Sequence, residues 1–590
     1  YRIVMSSLYN PLKNYEGALM VDVEKTLSLK YPAIAYYPSM VRNFVIYLLK
    51  KLLHQEEIND FLTHGEAYRG FDFVEAVLEY FNFGYTVSNK DKANIPSSGR
   101  VIIVANHPLG ALDALALISL IKEIRSDVKV LANDVLMQIE PLSGLLIPVD
   151  NLSGTAAKES IKKVYEALER DEALIVFPSG EVSRAHPTGI KDAKWKKGFL
   201  KFAQKSNSPL LPVFIDAKNS PLFYTLSMIN KKLSTFLLAR EMFKKRSKVI
   251  SFKIGEMITY KTLQSSGFSE TTLINLLKKH LYKISRGKKG IFTTQKAIAH
   301  PEERKAIRAE LKKSTLLGQT SDGKKIYLYE YEAGSILMKE IGRLREFTFR
   351  KVEEGTGSKR DVDAFDKHYK HIVLWDDEEL EVVGAYRIGE ANYISEYFGV
   401  EGFYSQTLFE FSSEFSPYLH NSIELGRSFV QPRYWGTRAL DYLWQGIGAY
   451  LFKNPHIRYM YGPVSLSDVY PKIAKNLIIT FYALYFSGTE KLVSARNGFF
   501  MSKAEREEAL MLFRGDDYKE DFATLKEQLS HMDLSVPTLY KQYTELCDEG
   551  GICFLDFNID KEFANCVDSF ILVDITKIKE AKKARYIKGE

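Results

Sequence analysis

The sequence predicts an α/β protein with at least two domains. Three observations carry this. The chain has 590 residues, more than a single hydrophobic core organises. Across residues 99–260, short β-branched runs alternate with amphipathic stretches, the pattern of a sheet covered by helices. After a charged stretch, a second alternation of helix and strand begins near residue 330.

The elements follow in order. Residues 1–95 read as helical, and 41–54 (V-R-N-F-V-I-Y-L-L-K-K-L-L-H) is strongly apolar, with Arg42, Lys50 and Lys51 as its charges. Strands are predicted at 100–105, 128–131, 173–177 and 210–215, and helices at 113–124, 158–170, 195–205 and 270–284. Residues 286–325 are rich in charge (R-G-K-K-G, then P-E-E-R-K-A-I-R-A-E-L-K-K) and read as a linker or docking segment. The second unit opens with a helix at 333–351, followed by strands at 371–376 and 381–388. A strand at 422–430, a helix at 436–452 and a strand at 457–463 complete it. From residue 503 onward the pattern is mixed. The expected divisions are 1–95, 96–285, 286–328, 329–510 and a C-terminal extension 511–590.

Composition narrows the class. The content of 45% hydrophobic and 26% charged residues is that of a globular protein, and 13% aromatic residues suit broad interfaces or greasy ligands. A net charge of +7 favours anionic partners; charge alone leaves nucleic acid, acidic lipid and an acidic carrier protein open. The three cysteines, Cys547, Cys553 and Cys566, form neither a metal-ligand spacing nor a disulfide framework, which points to a reducing cytosol. No secretory signal opens the chain, and no apolar run reaches the ~18 residues of a spanning helix. Action at a membrane is therefore expected from its surface. Residues 220–248 suit that role, because Leu222, Phe223, Met228, Ile229 and Phe243 are interleaved with Lys231, Lys232, Arg240, Lys244 and Lys245.

The chemistry begins at residues 101–113, V-I-I-V-A-N-H-P-L-G-A-L-D. An apolar strand runs into Asn106 and His107, and Asp113 follows in the next turn. Histidine takes a proton near neutral pH, and a carboxylate partner orients the ring and stabilises its protonated form. Downstream, L-I-V-F-P-S-G-E-V-S-R at 174–184 ends another strand in a turn that presents Phe177, Pro178, Ser179, Gly180, Glu181, Ser183 and Arg184. Between them lies G-L-L-I-P-V-D-N at 144–151, and after them L-L-P-V-F-I at 210–215. Strand ends of this kind converge on the carboxyl edge of an α/β sheet, where ligands bind.

Four such blocks in this order resemble the glycerolipid (lysophosphatidic acid) acyltransferase family over roughly residues 90–260. That family has four residues between His and Asp; here there are five, so Pro108 and Gly110 must shape the path from His107 to Asp113. A second departure is Asp150-Asn151, where relatives often carry a basic residue. The resemblance implies that His107 deprotonates an acceptor hydroxyl with help from Asp113, and that the oxygen attacks an acyl thioester. Asn106 and the residues of the 177–184 turn would bind substrate.

In the second unit the richest stretch is S-I-E-L-G-R-S-F-V-Q-P-R-Y-W-G-T-R-A-L at 422–440. A strand, a turn and a helix N-terminus offer backbone N–H groups to a phosphate. The stretch resembles the phosphate-gripping motif of the GNAT N-acyltransferases. It looks closer still to their branch that acylates amino acids for ornithine and glycine lipids, over about 330–510. The residues carrying this are Arg345-Glu346, Phe349-Arg350, 361–366, H-I-V-L-W-D at 371–376, Glu424 to Ser428, and Tyr461 to Ser465. The resemblance implies Glu424 as base on an acceptor amine and Arg427 as the anion contact. Ser428, Arg433, Gly436 and Arg438 would serve the donor side.

Together the resemblances imply a glycerolipid-acyltransferase-like α/β domain with N-terminal helices, followed by a GNAT-like α/β domain. They imply a bifunctional acyltransferase making an ornithine or glycine lipid: N-acylation of an amino acid with a 3-hydroxyacyl group, then O-acylation of that hydroxyl. The alternatives are a lysophospholipid (1-acylglycerol-3-phosphate) acyltransferase with an accessory C-terminal domain, and a non-enzymatic membrane or carrier-protein scaffold. The donor would be an acyl carrier protein or coenzyme A thioester, with no permanent cofactor and no metal. The partners would be the acidic carrier protein, the membrane surface and a lyso-lipid, not nucleic acid. The expected place is the cytoplasm, peripheral to the inner face of the membrane.

Overall fold

The computed structural model describes residues 22–24, 38–64, 67–132, 139–148, 155–186, 189–229, 231–488 and 490–587. It divides into two compact units, residues 1–297 and 298–590.

The first unit is built on a seven-stranded sheet. Its strands are β1 (Gly84–Val87), β2 (Val101–Ala105), β3 (Val128–Ala132), β4 (Leu146–Pro148), β5 (Ala173–Val176), β8 (Leu210–Asp216) and β9 (Val249–Ile254), while β6 (Arg184–His186) and β7 (Gly189–Lys191) form a separate hairpin. The spatial order is β1-β9-β8-β2-β5-β3-β4. Every pair is parallel except β8 with β9. β2 sits centrally with all five residues buried, as its unbroken apolar run predicts for a strand covered on both faces. Alternation decides the two cores. Val101, Ile103 and Ala105 pack with the helix Ala111–Lys122, whereas Ile102 and Val104 pack with Val164, Leu168, Phe199 and Leu277 from the opposite layer.

The second unit is an eight-stranded sheet in the order β10-β11-β12-β13-β15-β16-β19-β18. The strands are β10 (Thr315–Gln319), β11 (Lys325–Glu330), β12 (Lys370–Asp376), β13 (Glu381–Glu390), β15 (Ser422–Val430), β16 (Tyr459–Leu466), β18 (Ile552–Asp560) and β19 (Cys566–Asp574); β14 (Phe409–Phe411) and β17 (Val493–Ala495) pair apart from it. The helix Ile336–Lys351 covers one face through Leu337, Ile341 and Leu344. The helices Ala439–Lys453 and Lys472–Phe486 cover the other.

The mixed class and the domain order are as the sequence implied, and the strand Ser422–Val430 and the helix Glu270–Ile284 carry the predicted bounds. Of the stretch 1–95 read as helical, residues 1–21 and 25–37 lie outside the described residues, and Gly84–Val87 is the strand β1. Two further segments differ from their sequence reading. The expected linker 286–328 contains the helix Arg304–Leu311, the strand β10 and the first part of β11. The stretch expected as an extension supplies β18 and β19, and all of β16 pairs with β19. Both were obscured because their apolar residues meet partners far away in sequence rather than forming a local period.

Candidate acyl-transfer sites

In the first unit, β2 and β5 run parallel with Val104 beside Val176, so His107 and Phe177 leave the sheet at the same carboxyl edge. The Phe177 ring lies 4.2 Å from the His107 ring, centroid to centroid. The turn after His107 absorbs the extra residue: Gly110 adopts φ +107, open to glycine, and the helix begins at Ala111. Asp113 thus falls in the first helical turn. Its Oδ1 stands 3.2 Å from His107 Nδ1, and its Oδ2 accepts the Leu109 N–H at 2.8 Å. Asp113 is fully buried, while the His107 side chain keeps 13% exposure. Burial by itself would depress the His107 pKa; the charge and hydrogen bond of Asp113, and the charge of Asp192, reverse this and leave it raised above 6.5.

The other expected binders divide. Asn106 is a clip between strands, donating to the Ile215 carbonyl at 3.0 Å and accepting the Ile215 N–H at 2.7 Å. Ser183 is buried and donates to Asp192 Oδ1 at 2.5 Å, while its N–H donates to the His107 carbonyl at 2.7 Å. Ser179 closes its own turn onto the Glu181 carbonyl, and Gly180 donates to the Phe177 carbonyl. Glu181 lies 3.5 Å from Arg184, which also donates to Ser234 at 2.7 Å; burial lowers the Arg184 pKa despite the carboxylate. Pro178 is buried beside them. Asp192 was not found from the sequence, because it lies 85 positions from His107 with no local motif. The end of the second block, Asp150-Asn151, lies outside the described residues.

In the second unit, β15 and β16 pair in parallel only from Ser422 to Glu424 against Tyr459 to Tyr461, then part. Gly462 marks the divergence: a Cβ there would stand 2.0 Å from the Leu425 carbonyl oxygen. Immediately beyond, Arg427 takes φ +49 in a bulge of β15 against β13, a conformation concentrated at functional sites. Glu424 is buried at the end of the paired segment. Its Oε1 accepts Ser405 N–H and Oγ at 2.6 and 2.5 Å, and its Oε2 accepts the Tyr369 hydroxyl. Burial raises its pKa above 4.5, and these donors only moderate the rise. Arg427 faces Asp361 at 3.2 Å and Asp363 at 3.6 Å and lies over the Tyr404 ring. Behind it, Arg387 bonds Asp363 and Asp366, and Arg345 bonds Asp366 at 2.8 Å. Burial beside Arg345 holds His371 neutral, its pKa lowered to about 3.

The expected donor-side residues lie beyond the bulge. Ser428 hydrogen-bonds Tyr386. Gly436 (φ +75) and Arg438 precede the helix Ala439–Lys453, but the cations are neutralised locally: Arg433 by Glu381 at 2.7 Å and Glu379 at 3.2 Å, Arg438 by Asp441 at 3.2 Å. Tyr369, Ser405 and Tyr404 escaped the sequence reading because they reach Glu424 and Arg427 across the fold.

The two folds with these sites define an acyltransferase of two domains. Residues 25–288 match an acyltransferase family and residues 344–445 an acetyltransferase (GNAT) domain family. The chain is 34% identical over 258 residues to the lyso-glycine lipid O-acyltransferase of Bacteroides thetaiotaomicron, covering 42% of this chain and 93% of that protein. It is 32% identical over 304 residues to the glycine N(alpha)-acyltransferase of the same organism, covering 49% of this chain and 89% of that protein. It is also 33% identical over 135 residues to the L-ornithine N(alpha)-acyltransferase of Rhizobium meliloti, covering 22% of this chain and 44% of that protein. The chain belongs to these acyltransferase families, with a glycerolipid-acyltransferase-like domain followed by a GNAT domain.

Proposed function

We propose that the chain makes a two-chain glycine lipid by consecutive acylations. The second unit transfers a 3-hydroxyacyl group from a thioester to the amine of glycine: the nitrogen attacks the carbonyl, Glu424 takes its proton, and the proton passes to the sulfur as the thiol leaves. The first unit then acylates the 3-hydroxyl. His107 removes the hydroxyl proton through Nε2, with Asp113 held at Nδ1; the oxygen attacks a second acyl thioester, and the proton passes to the departing sulfur. The observation that carries this reading is that one chain matches nearly the whole length of two relatives named for an N- and an O-acylation around glycine lipid. Their coverage favours glycine over ornithine as acceptor. The donor is an acyl carrier protein or coenzyme A thioester, and no metal or permanent cofactor takes part. Linking both steps on one chain raises the effective concentration of the poorly soluble lyso-intermediate.

The protein works at a membrane surface in this reading. Among the described residues no helix is long and apolar enough to cross a bilayer. The helix Ser39–Leu52 nevertheless exposes Met40, Phe44, Tyr47 and Leu48 beside Lys50 and Lys51. His54, just after it, stacks at 4.0 Å on Phe243 of the helix Lys231–Phe243, and the preceding helix Pro221–Ile229 exposes Met228 and Ile229. Apolar side chains with adjacent lysines suit an anionic headgroup boundary.

Lipid analysis of a host expressing the intact chain tests the function. His107→Ala is expected to accumulate mono-acyl glycine lipid, and Glu424→Ala to abolish acylated glycine. If His107→Ala instead depletes phosphatidic acid alone, the acceptor is a lysophospholipid and the aminolipid reading fails.

A further inference from the structure

We propose that Asp192 is a positioning residue for His107: it fixes the backbone of the histidine turn and supplies a second counter-charge for the imidazolium formed during O-acylation. This rests on the reading of His107 as the O-acylation base.

The geometry is that of a clasp. Asp192 Oδ1 accepts the His107 backbone N–H at 3.3 Å and the Ser183 hydroxyl at 2.5 Å, while Oδ2 accepts Trp195 Nε1–H at 2.9 Å. Ser183 in turn donates its N–H to the His107 carbonyl at 2.7 Å. Both backbone polar groups of His107 are therefore tied to one carboxylate, directly or through one residue. Asp192 is itself held from a third direction, since its N–H donates to the Tyr282 hydroxyl at 2.9 Å and Lys278 Nζ donates to its carbonyl at 2.6 Å. The residue is 1% exposed.

A buried carboxylate is costly unless its charge meets donors or a cation. Ser183, Trp195 and the His107 N–H satisfy the hydrogen bonds, and the three groups are neutral. The cationic groups nearby are the protonated His107 ring, the Lys278 ammonium on the Asp192 carbonyl, and Lys191 beside Lys278. Each time His107 accepts a proton, a positive charge appears where two buried carboxylates, Asp113 and Asp192, already converge. Burial pushes the Asp192 pKa up, and the charge of His107 is among the groups that draw it back down, the reciprocal of its effect on the histidine. Asp113 acts through the ring and Asp192 through the backbone and its field. The assignment also explains why the hydroxyl of Ser183, three residues after the Phe-Pro-Ser-Gly turn, points inward.

Two measurements on the full chain test this. The first follows His107 by NMR of histidine-selectively 13C-labelled protein, with the signal assigned by its loss in His107→Ala. In Asp192→Asn the His107 pKa is expected to fall by roughly one unit, whereas Trp195→Phe, which removes a hydrogen bond and keeps the carboxylate, leaves it within a few tenths. The second is O-acylation of a mono-acyl glycine lipid from an acyl thioester. Asp192→Asn is expected to lower kcat by roughly 10-fold or more, with little change in KM, and to move the acidic limb of the profile to lower pH. An unchanged His107 pKa in a folded Asp192→Asn protein, or an unmoved limb with kcat falling as in Trp195→Phe, overturns the proposal and leaves Asp192 a packing residue. Full O-acylation by His107→Ala would instead overturn the catalytic reading of His107; the NMR titration reports on the Asp192 field either way.

Discussion

The carboxylate of Asp113 stands 3.2 Å from the Nδ1 of His107, although five residues separate the two in sequence. On a regular helix that spacing would point the side chains apart. The pair forms because His107 lies in the turn before the helix, and Gly110 at φ +107 bends the chain back so that Asp113 opens the first helical turn. The Leu109 N–H then fixes the second carboxylate oxygen at 2.8 Å.

Asp113→Asn should leave that N–H satisfied and remove the charge facing the ring. We expect O-acylation to fall by roughly 100-fold, with the N-acylation of the second unit unchanged. Parallel assays of the two steps on one preparation check this; equal losses in both would point to a folding defect.

The two activities should separate by pH. A base must be unprotonated to act, so each rate falls as pH drops through the pKa of its base. The His107 pKa is raised above 6.5, and that of Glu424 is raised above 4.5. As pH falls, O-acylation is therefore expected to begin losing activity while the pH is still above 6.5, and N-acylation to begin losing activity while the pH is still above 4.5. Rates of each half-reaction against pH, with saturating thioester, give the two limbs. A Glu424→Gln protein that retained the N-acylation limb would remove Glu424 from the role.

Gly462→Ala should disturb the place where β15 and β16 part. The added methyl would stand 2.0 Å from the Leu425 oxygen, and this partner is backbone, so β15 and β16 must move. We expect loss of N-acylation and destabilisation of the second unit by about 1–3 kcal/mol, with His107-dependent O-acylation retained. Thermal unfolding and the paired assays measure both.

Glu354 offers a stability test. It is buried with Ser465 Oγ donating to it at 3.0 Å, and burial raises its pKa to about 7. A raised carboxyl pKa means the folded state keeps the proton while the unfolded state has lost it. Stability from this group is thus present at low pH and is lost as pH rises from about 4.5 to about 7, by roughly 3 kcal/mol in all. Glu354→Gln should abolish that slope and be the more stable protein above pH 7. Denaturant titrations at pH 5 and pH 8 compare them; equal slopes would show that Glu354 titrates normally.

Much of this was legible in the sequence. The continuous apolar run of 101–105 marked a strand buried on both faces, and β2 lies between β5 and β8 with no exposed residue. The ordered blocks carried the resemblance for the first unit, and the stretches from Arg345 to Ser465, Glu424–Ser428 among them, carried it for the second. The roles of individual polar residues were less legible. Asn106 and Ser183 fall in motif positions expected to touch substrate, yet both are committed to the protein itself.

The sequence by itself determined the α/β class, the order of the two acyltransferase domains and the base candidates His107 and Glu424, because these depend on periodicity and on short motifs that lie close together in the chain. Only the tertiary structure decided what surrounds those two residues. Asp192 reaches His107 from 85 positions away, Tyr369 reaches Glu424 from 55, and β19 joins β16 from more than 100. Such partners leave no local pattern, since burial and hydrogen bonding are satisfied by proximity in space and impose no fixed spacing in sequence.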